Sequence, residues 1–389
     1  MPFTGKATYS AGASLPELAE DVSDVIGIVS PYETPLLDHL GNAPRAATST
    51  IHEWIEDELL PNSDAIDDST FANALTDTSF VVEHGDRFRV GDQIQVLNSR
   101  EVMLVTAIST NTLTVTRGYG GTTAANLGDN QVIRILGNAA IEGDDRPATR
   151  FTNRVRKQNY TQIFTSAVEI SGSQLAATQL ALADELDFQK AERLREMLRD
   201  LENCVINGVA ATSSPQGSSS VRRTMRGIIP SLTTHRFAPS INDFPAGEGS
   251  NDNLLTETQL NTALRAIWES SSARIDTIVV NGFQKRRING FVTSDRRFSG
   301  RETRFRDMVS VYESDFGVCR VILSRWMPTD AVLLLDSSRL HVLPMASRSF
   351  HYKKLAPTGD SEAGMIVGEY TLELRNESAH GLITGLGLA

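Results

Sequence analysis

Residues 117–128, RGYGGTTAANLG, form the stretch whose composition comes closest to a ligand-binding loop. Glycine-rich loops hold phosphate when successive backbone N–H groups point at one spot, and the best known of them end in Gly-Lys-Ser/Thr and lead into a helix. This stretch has no such ending, and β-branched runs on both sides of it indicate strands. We therefore interpret it as a turn between two strands and expect no phosphate to bind there.

The thiols and imidazoles do not have the spacing of a metal site. The two cysteines, Cys204 and Cys319, lie far apart, and the nearest of the seven histidines, His341 and His351, are ten residues apart in predicted strands. Zinc ligands usually come in pairs only a few residues apart. We expect no metal and no cofactor, and the two cysteines fit a reducing cytoplasm better than a disulfide framework.

No catalytic motif is recognisable along the chain. HExxH, the P-loop and GxSxG are all absent from the sequence. A Ser/His/Asp triad assembles only in the folded protein, so the sequence by itself leaves that type of site open. We predict a protein that is not an enzyme and keep one alternative, a cytoplasmic enzyme with an added β-domain.

Charge is distributed unevenly along a chain with a net charge of −11. Ten acidic residues and no Lys or Arg lie between Ile51 and Asp86, whereas nine basic residues lie between Arg274 and Arg306. The overall acidity argues against non-specific nucleic-acid binding, which needs Lys and Arg to neutralise phosphates. The two segments are either separate solvated faces or surfaces that meet, within one chain or between neighbouring copies.

Hydrophobic patterning predicts a water-soluble α+β protein. No apolar run of about 18 residues is present, so we expect no membrane-spanning helix, and the N-terminus lacks the pattern of a signal peptide. A helix is predicted at residues 14–29. Residues 30–59 follow, apolar but interrupted by Pro31, Pro35 and Pro44, too broken for one helix and too apolar for a free tail.

The remaining elements are predicted from periodicity. Short alternating runs from about residue 80 to residue 136 indicate a compact β-barrel or sandwich module. An amphipathic pattern over residues 182–207 predicts a long helix. Further elements are a helix at 257–270, a buried strand at 277–282, a helix starting at 284–291, two more buried strands before residue 337, and a long strand at 368–376 with a return strand.

Several of these stretches together resemble the major capsid proteins of tailed phages that have the HK97 fold, specifically the SU10-like group. The resemblance is carried by SPYETPLLDHLG, HEWIEDEL, LTVTRGYGGTTAA, DTIVVNGFQKRRINGF, LSRWMPTDAVLLLD and EYTLELRNESAHGLITGL, which follow one another from about residue 30 to the end of the chain. The fold it implies is the HK97-like capsid fold, with a long spine helix and an inserted small β-barrel or sandwich module in the extended loop.

The resemblance also implies a division of the chain. Residues 1–50 would be the N-terminal arm, and residues 51–165 the extended loop (E-loop) that reaches across a neighbour, with a β-insertion at about 80–138. The rest would comprise a peripheral domain at 166–225 and 337–389, which contains the spine helix 182–207, and an axial domain at 226–336 around the five-fold and six-fold axes.

The function implied is self-assembly into the icosahedral head of a tailed bacteriophage that encloses double-stranded DNA. The expected partners are other copies of the chain, in hexamers and pentamers, with portal and scaffold or decoration proteins; no sequence-specific DNA contact and no membrane are expected. The location would be the virion, after assembly in the host cytoplasm. Another virion structural protein, such as a tail-tube or decoration protein, is the alternative.

Contacts between copies are predicted for apolar arm residues, for the acidic loop and for basic groups facing it. The candidates are Leu36, Leu37, Leu40, Trp54, Glu56, Asp57, Glu58, Arg193, Arg195, Arg199, Arg286 and Arg287, with Arg150, Arg154, Arg156 and Lys157 at the base of the loop as further basic partners.

One feature departs from some relatives of this fold, in which a loop lysine and an asparagine form a covalent cross-link. No lysine occurs between Lys6 and Lys157, so the extended loop offers no amine. We therefore expect no such cross-link, and boiling in detergent should release monomers.

Overall fold

The structure, a computed structural model, describes residues 33–97, 99–143, 149–176, 185–293, 311–356 and 359–388. The predicted helix at 14–29 and most of the basic run that ends at Arg306 lie outside these ranges. The helices are α1 (Pro35–Leu40), α2 (Gly172–Ala176), α3 (Glu185–Asn207), α4 (Ile228–Ser231), α5 (Glu257–Ser270) and α6 (Gly282–Thr293).

Eighteen strands are formed by the described residues. They are β1 (Ile51–Glu56), β2 (Ser63–Ala65), β3 (Ser79–Val81), β4 (Asp92–Val96), β5 (Val102–Ser109), β6 (Thr112–Thr116), β7 (Val132–Asn138), β8 (Val155–Tyr160), β9 (Gln162–Ser171), β10 (Arg236–Phe237), β11 (Thr277–Val280), β12 (Val311–Ser314), β13 (Gly317–Leu323), β14 (Val332–Leu335), β15 (Leu340–Pro344), β16 (His351–Lys354), β17 (Ser361–Leu374) and β18 (Gly381–Ile383).

The chain divides into two compact units. Unit 2 is the single stretch Ile55–Val155, and unit 1 combines the chain up to Trp54 with Arg156–Ala389. Unit 2 lies inside the range predicted for the extended loop. The regions predicted as peripheral and axial domains belong to one unit, in which two hydrophobic cores are distinct.

The first core of unit 1 lies between the long helix α3 and a four-stranded antiparallel sheet. Strand β17 is the centre of that sheet and pairs with β15, β16 and β9. Helix α3 has 23 residues and buries Leu186, Met197, Leu201, Val205 and Ile206 on one face, close to the predicted stripe. At 1.5 Å per residue it is about 35 Å long.

The second core of unit 1 lies against a six-stranded sheet of order β10-β18-β14-β11-β13-β12. Strands β11 and β14 bury all their residues, as their continuous apolar runs predict. Helix α5 begins at a capping box formed by Thr256 and Gln259, at the predicted position. The predicted return strand is β18, which joins this sheet beside β14.

Unit 2 consists of one antiparallel six-stranded sheet of order β2-β7-β4-β5-β6-β3. A bridge between Ile66 and Val82 joins its two edges, so the sheet closes as in a barrel. The closed sheet surrounds its own apolar core, which includes Phe80, Ile94 and Met103. The sheet starts at Ser63, earlier than the predicted start near residue 80, because the short strand β2 has too few residues to show alternation.

Strands β1 and β8 form a separate two-stranded sheet. A two-stranded ribbon is only marginally stable in water by itself.

Among the helices of the described residues, none is both long and apolar enough to cross a lipid bilayer.

Candidate assembly surfaces

Three residues predicted to contact other copies, Leu36, Leu37 and Leu40, pack on the core of their own chain. Leu36 of α1 is fully buried in the first core of unit 1, and Leu37 and Leu40 pack against that core. A fully buried side chain offers no surface to another copy. With α1 packed on the core of its own unit, Leu36 is not available for the contact between copies that the sequence predicted.

The chain on either side of α1 is also attached to unit 1. The Arg325 guanidinium pairs with the Glu33 carboxylate at 3.0 Å, and the Trp326 indole N–H donates to the Glu33 carbonyl at 3.2 Å. Further along, Ala47 forms a parallel bridge with Met345 beside β15. Described residues 33–47 of the predicted arm are thus held by their own chain.

A buried carboxylate on β17 holds the end of this arm. Glu373 has no solvent exposure and accepts hydrogen bonds from Arg45 at 2.8 Å, from His52 at 2.6 Å, and from Arg375. Burial alone raises the pKa of this carboxyl, but the three donors outweigh it and lower the pKa to about 2. Glu373 is therefore ionised at neutral pH and stabilises the positions of Arg45 in the predicted arm and of His52 on β1.

A second buried carboxylate lies four residues earlier on β17. Glu369 accepts hydrogen bonds from Thr161 and Arg223 at 2.6 Å and from Arg348 at 2.7 Å. Neither carboxylate was predicted from the sequence, because the alternation over residues 368–376 only indicates that Tyr370, Leu372 and Leu374 share one apolar face. The two glutamates alternating with apolar residues were the available signal, since two buried acids on one strand require arginine partners.

The acidic residues that follow β1 are mostly on the surface. Asp57 and Glu58 are exposed, and Asp57 lies 3.8 Å from Arg154, one of the basic residues at the loop base. Arg156 lies 3.6 Å from Glu53 in the same way. Two of the basic groups predicted to meet the acidic loop of another copy are therefore near its carboxylates within one chain.

Trp54 and Glu56 are partly buried on β1. The Trp54 ring lies against the His52 ring, with centroids 5.9 Å apart. This contact places the indole beside His52, one of the donors to Glu373. Part of the indole stays at the surface.

The predicted basic contacts on α3 have partners on the same helix. Arg193 pairs with Glu196 at 2.7 Å and Arg195 with Glu192 at 2.6 Å, both three residues apart, while Arg199 lies 3.4 Å from Asp200. Exposed pairs of this kind contribute only about 0 to 1 kcal/mol each. Each of the three arginines therefore has a carboxylate of α3 as its neighbour.

The predicted contacts on α6 differ from each other. Arg286 is exposed, whereas Arg287 is half-buried and donates to the Glu248 carboxylate at 2.7 Å and to the Leu255 carbonyl. Arg287 thus fastens α6 to a loop of unit 1, and Arg286 is the one of the two that faces solvent.

Unit 2 carries a large exposed apolar surface for its size. Although it is about a quarter of the chain, half of the large exposed apolar side chains among the described residues belong to it. The most exposed are Leu59 at 94%, Phe151 at 78% and Ile141 at 77%. Val132 and Leu136 project from the outer side of β7. Large contiguous apolar patches mark contacts with other molecules, whereas single exposed apolar side chains are common on protein surfaces.

The glycine-rich stretch of unit 2 wraps around a buried ion pair. The Arg117 guanidinium donates to both oxygens of Glu101, at 2.7 and 2.8 Å. The same carboxylate accepts the backbone N–H groups of Gly118 and Ala125. Gly118 has a φ of 59°, which favours glycine at this position. The stretch is a structural turn, and two of its backbone N–H groups are bonded to Glu101.

Asp64, Glu83 and His84 form the one cluster of metal-ligand type among the described residues. The buried Asp64 carboxylate accepts the Arg87 guanidinium at 2.9 Å and the backbone N–H of His84 at 2.8 Å. The positive charge beside Asp64 is supplied by the arginine, so the group forms an ion pair that closes the turn before β4.

Solved structures of phage-type capsids share this fold. The capsid of a native GTA particle has a TM-score of 0.52 and 11% sequence identity, with 99% of this chain and 100% of that chain covered. The capsid of cyanophage A-1(L) has a TM-score of 0.52 and 9% identity, with 95% and 97% covered. The mixed helix-and-sheet, HK97-like fold predicted from the sequence is confirmed at this level.

Sequence comparison identifies the family. The chain matches no curated protein sequence. A family model described as SU10 major capsid protein matches residues 3–387, almost the whole chain. It describes a structural protein of the virion, not an enzyme, which agrees with the architecture described above. The chain therefore belongs to the SU10 major capsid protein family and is a capsid-forming protein of a tailed phage.

Proposed function

We propose that identical copies of this chain assemble through hexamers and pentamers into an icosahedral head, and that unit 2 lies on neighbouring copies within the shell. The observation that carries the proposal is the concentration of exposed apolar side chains in Ile55–Val155. In an isolated monomer this surface would stay in water. Each Å² of it that a neighbour covers contributes roughly 25 cal/mol.

An obligate assembly needs a large contact surface on each copy. Obligate interfaces bury about 2,000 to over 5,000 Å² in total. A single unit joined to the chain by β1 and β8 can supply such an area without enlarging the body of the molecule. In the described residues, docking of α1 on its own core leaves unit 2, more than residues 33–47, as the element that reaches a neighbour.

Charged residues would set the register of the contact more than its strength. Glu58 is exposed after β1, and Arg286 is exposed on α6. Because exposed pairs contribute only about 0 to 1 kcal/mol, they select among docking positions that the apolar contacts already favour. The in-chain pair of Glu53 with Arg156 lies across the β1–β8 ribbon.

The shell would enclose double-stranded DNA without reading its sequence. The net charge of −11 fits a container wall that does not grip its contents tightly. We further propose a portal protein at one vertex, a separate scaffold or decoration protein, and assembly in the host cytoplasm.

Two substitutions in unit 2 test the proposal. Leu59→Asp and Phe151→Asp each place a charge on a side chain that is exposed in the isolated chain, so folding should be unchanged by circular dichroism. In sedimentation velocity and negative-stain micrographs, the wild-type chain should form shells, whereas the variants should stay as monomers or capsomers.

The matched control is Val209→Asp, which charges a 66% exposed apolar side chain in unit 1. This control should assemble like the wild type. Shells formed at wild-type yield by both unit 2 variants would overturn the proposal that unit 2 lies on neighbouring copies.

A further inference from the structure

Helix α1 begins without the usual side-chain cap. Thr34 occupies the cap position but makes no side-chain hydrogen bond to the first turn. The N–H groups at the start of a helix need acceptors when they are buried. Here the acceptor comes from another element, because the Leu37 N–H donates to the Glu202 carboxylate of α3 at 3.3 Å.

Glu202 is enclosed where three parts of unit 1 meet. It has no solvent exposure, and its other oxygen accepts the Ser324 hydroxyl, itself buried, at 3.1 Å. Leu36 lies in the core beside Met197 and Leu201 of α3. The carboxyl of Glu202 on α3 therefore contacts both α1 and the turn after β13. Helix α1 separates this carboxyl from water on one side.

The donors to Glu202 are all neutral. They are backbone N–H groups of α1 and one hydroxyl, in contrast to the arginines that surround Glu373. Burial is the largest influence on the pKa of Glu202 and raises it from 4.5 to about 7, although the hydrogen bonds oppose this. The charge of nearby Asp38 raises it further.

Other charged groups lie around the carboxyl on the elements that pack against it. On α1, burial and the neighbouring Arg320 lower the pKa of His39, so its ring stays neutral above pH 6.5. Arg325, next to Ser324, is paired with Glu33. On α3, Arg199 lies beside Asp200. Glu202 is thus the carboxyl at this junction that is fully enclosed and held by neutral donors alone.

We propose that Glu202 is a proton-dependent latch for the arm: its neutral form keeps α1 docked on the spine helix, and its ionised form favours release of residues 33–40. Release lets water reach the carboxylate, which a docked α1 prevents. With α1 docked, Glu202 binds its proton more tightly than with α1 released. Docking is therefore strongest at low pH and weakens as the pH rises through about 7. The latch is a property of unit 1 and does not depend on how unit 2 contacts other copies.

Linkage gives the size of the effect. If the released carboxyl regains its ordinary pKa of 4.5, the equilibrium constant for release rises about 70-fold between pH 5 and pH 8. Hydrogen–deuterium exchange of the peptide that covers residues 34–41, expressed as protection factors, should fall by that order in the full-length wild-type chain. Light scattering at both pH values should show that the assembly state is the same.

Glu202→Gln is the decisive variant, because the amide keeps an acceptor oxygen but cannot ionise. Its protection factors over residues 34–41 should be nearly equal at pH 5 and pH 8. Asp38→Asn should keep the pH dependence but shift its midpoint to lower pH, and it covers the case in which Glu202→Gln folds poorly. Asp200→Asn, an exposed carboxyl on the same helix, should behave like the wild type.

Equal protection of the wild-type peptide at both pH values would overturn the proposal. So would a pH dependence that persists unchanged in Glu202→Gln, because the titrating group would then lie elsewhere.

Discussion

Glu202 and Glu373 are both fully buried carboxyls of unit 1, yet their pKa values move in opposite directions. Burial raises both, but Glu202 has only neutral donors and titrates at about 7, whereas Arg45, His52 and Arg375 bring Glu373 down to about 2. The chemical type of the hydrogen-bond donor therefore decides whether a buried acid acts as a permanent anchor or as a group that responds to pH.

The anchor role of Glu373 predicts a loss of stability in Glu373→Gln. Its folded pKa lies below the ordinary 4.5, so its contribution is present above pH 4.5 and disappears as the pH falls toward 2. We expect the variant to lose about 2 to 3 kcal/mol of unfolding free energy at pH 7 and little near pH 2, measured by denaturant titration. Glu313→Gln, an exposed carboxyl on β12, is the control and should change little. An equal loss at both pH values would show that packing, not charge, is responsible.

A buried histidine predicts instability in acid. His380 is fully buried before β18, its Nδ1 accepts the Asp336 N–H at 3.3 Å, and its Nε2 has no partner among the described residues. Burial lowers its pKa from 6.5 to about 4, so stability is lost as the pH falls from 6.5 through 4.

His380→Asn keeps a nearby acceptor for Asp336 and removes the titration. We expect a lower melting temperature than wild type at pH 7 but a flatter decline between pH 6.5 and pH 4. The exposed His351→Asn is the control. A decline as steep in His380→Asn as in the wild type would contradict the assignment.

At the scale of elements, the Arg117–Glu101 pair holds the loops of unit 2 on its closed sheet. Arg117 also donates to the carbonyls of Ala74, Asp77 and Ala125, so one side chain fixes two loops. Arg117→Ala leaves a buried carboxylate without its partner and should cost about 3 to 5 kcal/mol. Adding Glu101→Gln to this variant should recover part of the loss.

Exchange and fluorescence separate this effect from changes elsewhere. All three tryptophans, Trp54, Trp268 and Trp326, belong to unit 1. Hydrogen exchange of peptides within residues 63–138 should therefore accelerate in Arg117→Ala while the tryptophan emission transition stays in place. Wild-type exchange in those peptides would rule out the role assigned to the pair.

The elements that the sequence predicted best are those whose burial is set locally. Helix α5 carries its own capping box, and β11 and β14 are continuous apolar runs, so their positions follow from nearby residues alone. Strand β17 alternates in sequence, yet residues on both of its faces are buried, because Arg45, Arg223 and Arg348 arrive from distant parts of the chain. Partners so far apart in sequence leave no periodic signal.

At the scale of the whole molecule, the sequence also cannot distinguish apolar residues that pack in their own core from those that stay exposed. Apolar residues of α1 and of unit 2 look alike in the sequence, but Leu36 is fully buried in its own core and Leu59 is almost fully exposed. Which of them is left for a neighbour depends on tertiary packing. That unit 2 is an insertion in the extended loop, and that it contacts other copies, stay predictions.

Electron cryomicroscopy of particles assembled from the purified full-length chain would show whether unit 2 lies on neighbouring copies. We expect closed shells in which Leu59 and Phe151 of each copy are covered by an adjacent copy, while Leu36 stays in its own core. A chain that stays monomeric at high concentration, or a shell in which unit 2 projects into solvent with both side chains uncovered, would contradict this expectation.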